Sequence, residues 1–281
     1  MRQNSAMETF AGIDVGTTTT KAVVIDAAGK VLGHFVRRSG TDLSAAAMAA
    51  FEAAAAQAGV ALGAVQAIVA TGYGRKNVPF DILRRCSGQA LRTGSLAHDT
   101  KTEIGCHGRG CYHYFPEAIT VVDIGGQDNK IIKLDAQGKR TGFKMNRKCA
   151  AGTGAFLEEI AHKLDIPARD LNGLAQAAAK TAQIGSYCTV FAATEVLDRI
   201  RAGEKVDDIV RGLFDSVVKR VVEMDTLSNR VIMTGGVVAF NSIVADLLSA
   251  RAGVKVEIAP HPQEMGAFGA ALFAKELSNR R

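Results

Sequence analysis

The chain has 281 residues, 47% hydrophobic and 22% charged, which supplies enough apolar side chain for one large or two smaller globular cores. Its net charge of +6 suits a phosphate-rich ligand or an acidic partner, but no arginine/aromatic stripe accompanies it and Trp is absent, so nucleic acid is not the expected partner. No apolar run reaches bilayer length and the five cysteines lack a small-scaffold spacing, which predicts a reduced, cytoplasmic protein with no membrane partner.

In chain order, Thr9 to Gly16 reads as an apolar strand running into an Asp14-x-Gly16 turn. Thr17 to Lys21 follow, then a strand over Ala22 to Asp26, a hairpin turn at Ala27-Ala28-Gly29-Lys30 and a strand over Val31 to Arg38. Next come an alanine-rich helix (about Leu43 to Ala58), a strand (Ala67 to Thr71) ending in Gly72-Tyr73-Gly74-Arg75, and a helical region around Ser87 to Glu103. The opening device then recurs over Ala118 to Asn146. Asp14 to Asp26 and Asp123 to Asp135 both span 12 positions, and Asp14 to Gly29 and Asp123 to Gly138 both span 15. Such a repeat implies two similar halves facing one another, 1–117 completed by a C-terminal helix over 264–281, and 118–263. Within the second half, helices are predicted near 150–164, 169–180, 189–202 and 206–227. A strand runs from Arg230 into Gly235-Gly236, followed by a helix (Asn241 to Ala250) and a strand (Val254 to Ala259).

Asp14-x-Gly16-Thr17-Thr18-Thr19 offers a carboxylate for hydrated Mg2+, a glycine that lets backbone approach closely, and donors for phosphate oxygens. Lys21 adds positive charge there, or by strand alternation faces solvent. Asp123-x-Gly125-Gly126-Gln127-Asp128 is a second such set. In it Asp123 acts on the metal or the attacking water, and Gln127 orients that water. Gly235-Gly236 at a strand end forms a flat surface, free of side chains, for adenosine or phosphate, and Gln263 completes the nucleotide candidates. Two matched loops and the later glycine pair point to a duplicated actin-like (RNase H-like) α/β ATPase with the nucleotide in the cleft between its halves. No Walker phosphate loop is present.

Cys149 precedes Ala150-Ala151-Gly152-Thr153-Gly154 and an amphipathic run. Gly152 and Thr153 would present free N–H groups at a helix start, a setting that suits an anion and biases a cysteine toward thiolate. Cys188 repeats the arrangement 188 − 149 = 39 residues later. Cys106 and Cys111 lack a zinc spacing and are expected to hold no metal, and Cys86 is expected to be structural.

These stretches carry a resemblance. Gly12 to Lys21, Ala70 to Arg75, Glu103 to His107, Val122 to Asp128, Lys148 to Gly154, Cys188 to Ala192 and Met265-Gly266-Ala267 resemble the ATP-dependent activators of 2-hydroxyacyl-CoA dehydratases and the related ATP-binding subunits of benzoyl-CoA reductase. Both belong to the acetate/sugar kinase–Hsp70–actin superfamily. The resemblance implies that Cys149 and Cys188 hold one 4Fe–4S cluster shared between two subunits. It further implies a homodimeric or heterodimeric ATP-binding partner, ferredoxin as upstream donor, and ATP-driven, low-potential electron transfer to acyl-CoA-reducing subunits, as an oxidoreductase component. Asn146-Arg147-Lys148 and Ala192-Ala193-Thr194-Glu195 depart from the dehydratase activators, and Cys111-Tyr112-His113-Tyr114-Phe115 is taken together with them. They lean toward the shorter ATP-binding chain of an ATP-dependent benzoyl-CoA reductase. The cysteine pair counts against the alternatives, a sugar or carboxylate kinase or a filament or chaperone ATPase.

Overall fold

The computed structural model describes residues 7–81, 97–146, 149–185 and 189–280. By its contacts the chain divides into Met1–Tyr114 with Glu264–Arg281, and Phe115–Gln263.

The first unit contains β1 (Thr9–Val15), β2 (Thr19–Asp26), β3 (Val31–Arg38), α1 (Leu43–Gln57), β4 (Val65–Thr71), β5 (Ala97–Thr100) and α2 (Glu103–Tyr114). The second contains β6 (Ile119–Ile124), β7 (Asn129–Leu134), β8 (Arg140–Asn146), α3 (Gly154–Lys163), α4 (Leu171–Ala177), α5 (Thr189–Arg201) and α6 (Val206–Met224), then β9 (Arg230–Thr234), α7 (Gly236–Phe240), α8 (Ile243–Ala252) and β10 (Val256–Ile258). The chain ends in α9 (Met265–Ser278), which belongs to the first unit.

Each unit is built on a five-stranded sheet of the same design. The orders are β3-β2-β1-β4-β5 and β8-β7-β6-β9-β10, an antiparallel meander extended by two parallel strands. The hairpins match atom for atom. Asp26 Oδ1 accepts from the N–H groups of Ala28 and Lys30, and Asp135 Oδ1 from those of Gln137 and Lys139. Gly29 and Gly138 take φ of 87° and 74° in the same turn position. An aspartate that folds back on its own turn while a glycine supplies the left-handed residue sets the register of both meanders.

The central strand β1 is buried along its whole length. Ala11, Ile13 and Val15 pack with Ala47, Ala50, Phe51 and Ala54 of α1, a helix started by Asp42, whose side chain accepts from Ala45 N at 2.9 Å. On the opposite face Gly12 meets α9 so closely that a Cβ would stand 2.0 Å from Ala267 O. In the second unit, Leu213, Phe214, Val217 and Val221 of α6 share a core with Phe156 and Leu157 of α3 and with Val231 and Met233 of β9.

Two expected elements are corrected. Of the helical region around Ser87 to Glu103, residues 87–96 lie outside the described residues, 97–100 form β5 beside β4, and the helix begins only at Glu103. Gly105, Gly108 and Gly110 weaken the helical signal of α2. Packing overrides that weakness, since a Cβ at Gly110 would stand 2.6 Å from Met265 Sδ of α9. The helix expected over Asn241 to Ala250 is α8, shifted to Ile243–Ala252, and a short helix that was not expected, α7, precedes it; between them stands Asn241, whose Nδ2 donates to Val237 O at 2.9 Å. No helix among the described residues is long and apolar enough to cross a membrane.

Candidate functional site

Strand register assembles the same trio in each unit. Asp14 on β1 lies opposite Lys21 and beside Thr71, and Asp123 on β6 lies opposite Lys130 and beside Thr234. Both aspartates are buried. Lys21 Nζ stands 3.1 Å from Asp14 Oδ2. Lys130 Nζ stands 3.1 Å from Asp123 Oδ2 and 2.7 Å from Asp128 Oδ1. The loops close alike, with Gly16 N donating to Thr19 O at 3.1 Å and Gly125 N to Asp128 O at 2.9 Å. Lys21 therefore turns to its carboxylate rather than to solvent, because a buried carboxylate without a counter-charge is costly. Lys130, fully buried, is absent from the residues expected from sequence. Its signal is an offset: Lys follows Asp by seven positions in both copies, 14 to 21 and 123 to 130.

The trios differ at the threonine. Thr234 Oγ1 donates to Asp123 Oδ1 at 2.9 Å. Thr71 Oγ1 instead donates to Lys101 O at 3.1 Å, and Asp14 Oδ1 is buried with no hydrogen-bond partner among the described residues. Gly72 follows Thr71 with φ 86°, and a Cβ there would stand 2.4 Å from Asp14 Oδ1. Thr17 and Thr18 are exposed, as is Gln127, while Gly16, Thr19, Gly125, Gly126 and Asp128 are half-buried.

Behind Asp14 lies Cys106 on α2. Burial pushes its thiol up to about 12, against a hydrogen bond with the Thr71 hydroxyl. The neighbouring His107 is also buried, and His107 Nε2 and Asp14 Oδ2 would lie 3.0 and 3.1 Å from a Cβ at Gly266. In the sequence His107 stands out only through the resemblance, as part of the stretch Glu103 to His107, and its contacts could not be read there, because its neighbours are brought by β1 and α9 from distant parts of the chain.

The glycine pair follows the end of β9. Gly235 takes φ 102° and donates its N–H to Pro262 O at 2.8 Å, and Gly236 opens α7 with the Gln263 Nε2 3.5 Å from where its Cβ would be.

The cysteine stretch is also corrected. Cys149 is exposed, and it precedes the N-cap of α3, Thr153, by 153 − 149 = 4 residues rather than opening the helix. The helix-start N–H groups of Gly154 and Ala155 are not free. They donate to Gly125 O and Gly126 O, both at 2.9 Å. Gly152 O accepts from Asn129 Nδ2 at 2.7 Å, and Thr153 Oγ1 donates to Ala150 O. The glycines of the second loop leave their carbonyls bare, and the helix donors meet that need first. The Cys149 turn is thus fastened to the second Asp-x-Gly loop. Cys188 and Cys86, with Arg147 and Lys148, lie outside the described residues.

Two units with one sheet design, each carrying an Asp-x-Gly loop and a lysine-paired carboxylate, define a duplicated actin-like ATPase fold. The chain belongs to the BadF/BadG/BcrA/BcrD ATPase family, whose profile matches residues 11–274. It is 37% identical over 273 residues to the activator of lactoyl-CoA dehydratase from Anaerotignum propionicum, covering 96% of this chain and 98% of that protein. A benzoyl-CoA reductase subunit from Thauera aromatica is 28% identical over 279 residues, covering 95% and 93%. The activator of the 2-hydroxyisocaproyl-CoA dehydratase from Clostridium difficile, solved with bound ADPNP, matches with a TM-score of 0.84 at 32% identity, covering 97% and 96%.

Proposed function

We propose that this chain is an ATP-hydrolysing electron-donor subunit serving an acyl-CoA-processing partner. The observation that carries the ATP reading is the buried, unpartnered Asp14 Oδ1 beside Lys21 and the bare Gly72. A carboxylate oxygen left unsatisfied costs free energy unless a ligand group meets it. Hydrated Mg2+ of bound ATP would supply that group. Around it, Gly16, Thr17, Thr18, Thr19 and Lys21 take phosphate oxygens, as do Gly125, Gly126 and Asp128. Asp123 and Gln127 serve the attacking water, and Gly235, Gly236 and Gln263 serve the nucleoside. Gly152 and Thr153 act by shaping the Cys149 turn.

Cys149 is an exposed thiol on a fixed turn, which suits a ligand shared with a second chain. With Cys188, and the same pair from another subunit, it would hold a 4Fe–4S cluster, which supplies a low-potential electron when bound. A ferredoxin is the natural upstream donor. The hydrogen bonds from Gly154 and Ala155 to Gly125 and Gly126 give loop movements a direct path to that turn.

For the partner, 37% identity to a dehydratase activator against 28% to a benzoyl-CoA reductase chain favours a 2-hydroxyacyl-CoA dehydratase. The sequence at Asn146 to Lys148 and Ala192 to Glu195 keeps benzoyl-CoA reductase as the second reading. Anaerobically purified protein should carry about four irons and matching sulfide per dimer, losing both with Cys149→Ser while ATP binding persists. An iron-free ATPase, alone and with its co-expressed partner chains, would overturn the electron-donor reading.

A further inference from the structure

Asp123 is held from both sides. Its Oδ1 accepts from Thr234 Oγ1 at 2.9 Å and its Oδ2 from Lys130 Nζ at 3.1 Å, and all three residues are buried. With a donor on each oxygen, the carboxylate cannot rotate without breaking a charge-assisted bond. Lys130 is itself steadied by Asp128 at 2.7 Å. Thr234 is steadied by the backbone after it, since Gly235 is tied to Pro262 O, and a Cβ on Gly235 would stand 2.9 Å from Asp123 Oδ1. Nothing larger than glycine fits beside this bond. The corresponding hydroxyl of the first unit, on Thr71, turns away from Asp14 and goes to Lys101 O. The Thr234 contact is therefore not a by-product of the repeated strand pairing.

We propose that Thr234 is a positioning residue for ATP hydrolysis, fixing the orientation of Asp123 through its hydroxyl while Lys130 balances the charge. This rests on the reading of Asp123 as the carboxylate that serves the attacking water. Thr234 acts through Asp123 and does not meet the nucleotide, so its loss should slow turnover without weakening ATP binding. A group aimed by one fixed bond loses rate when that bond is removed, because the reacting geometry is then sampled only part of the time.

The test compares wild type with Thr234→Val, Thr234→Ser and Thr234→Ala in steady-state ATP hydrolysis, with melting curves for each. Val keeps the shape of threonine without the donor, while Ser and Ala differ from each other by the hydroxyl alone. The expected result is a kcat lowered about tenfold or more in Val and Ala, with KM for ATP within about twofold and Ser close to wild type. Equal loss in Ser and Ala, or a raised KM at unchanged kcat, would overturn the proposal by assigning the effect to packing or to binding. Wild-type protein that hydrolyses no ATP would instead sink the functional reading on which it rests.

Discussion

Around Asp14 and around Asp123 the backbone does the same thing. A central strand delivers a buried aspartate to the mouth of an Asp-x-Gly loop, a lysine seven residues later pairs with it, and a parallel strand brings a threonine alongside. The side chains then part ways. Lys130 bridges two carboxylates and Thr234 occupies the remaining oxygen of Asp123, whereas Lys21 pairs with Asp14 and Thr71 turns to Lys101 O. One aspartate is satisfied on both oxygens. The other keeps a buried oxygen without a partner among the described residues. A duplicated backbone can thus carry one fixed carboxylate and one receptive carboxylate, and the rotation of a single hydroxyl separates them.

That contrast can be tested most sharply at the lysines. Lys130→Met removes a fully buried cation from between two carboxylates and should cost about 3–5 kcal/mol of stability. Lys21 reaches Asp14 from a side chain 16% exposed, so water softens its loss, and Lys21→Met should cost roughly half that or less. Urea unfolding of both variants reads the difference, and equal losses would mean that the two loops are electrostatically alike.

A smaller effect is expected at Thr71. Thr71→Val strands the Lys101 carbonyl and should cost about 1 kcal/mol. Because its hydroxyl is turned to that carbonyl and not to Asp14, the kcat for ATP should stay near wild type, in contrast to Thr234→Val. A matching fall in kcat would show that the first carboxylate is also hydroxyl-positioned in the working state.

The mildest test uses thiol chemistry. Cys106 is buried with its thiol pushed up to about 12, while Cys149 is exposed. Iodoacetamide at pH near 8 should alkylate Cys149 in the folded, cluster-free protein and reach Cys106 only after denaturation, as peptide mass mapping would reveal. Native labelling of Cys106 would mean that the region behind Asp14 opens readily.

Much of the architecture is written locally. The hairpins at Asp26 and Asp135 follow from an aspartate bonding its own turn and a glycine three positions on, so equal offsets in sequence became equal turns in space. The apolar runs around Asp14 and Asp123 likewise declare central strands, and with the repeat they sufficed to read a duplicated actin-like α/β fold. The seven-residue Asp-to-Lys offset was present in the same way, and strand register converts it into an ion pair.

Other features needed the tertiary structure. Helix α2 is rich in glycine, and the close approach of α9, far away in sequence, outweighs its poor propensity. The helix-start N–H groups after Cys149 look available in sequence. Carbonyls of a loop some 30 residues earlier take them, because buried backbone groups pair with whatever the fold brings within reach. The sequence places a threonine at the end of β4 and another at the end of β9. Which one turns its hydroxyl to its aspartate depends on the acceptor each meets, and for Thr71 that is the carbonyl of Lys101, just past the end of β5. Offsets and turn chemistry are short-range properties of the chain. Competition among hydrogen-bond partners is settled only when distant segments meet.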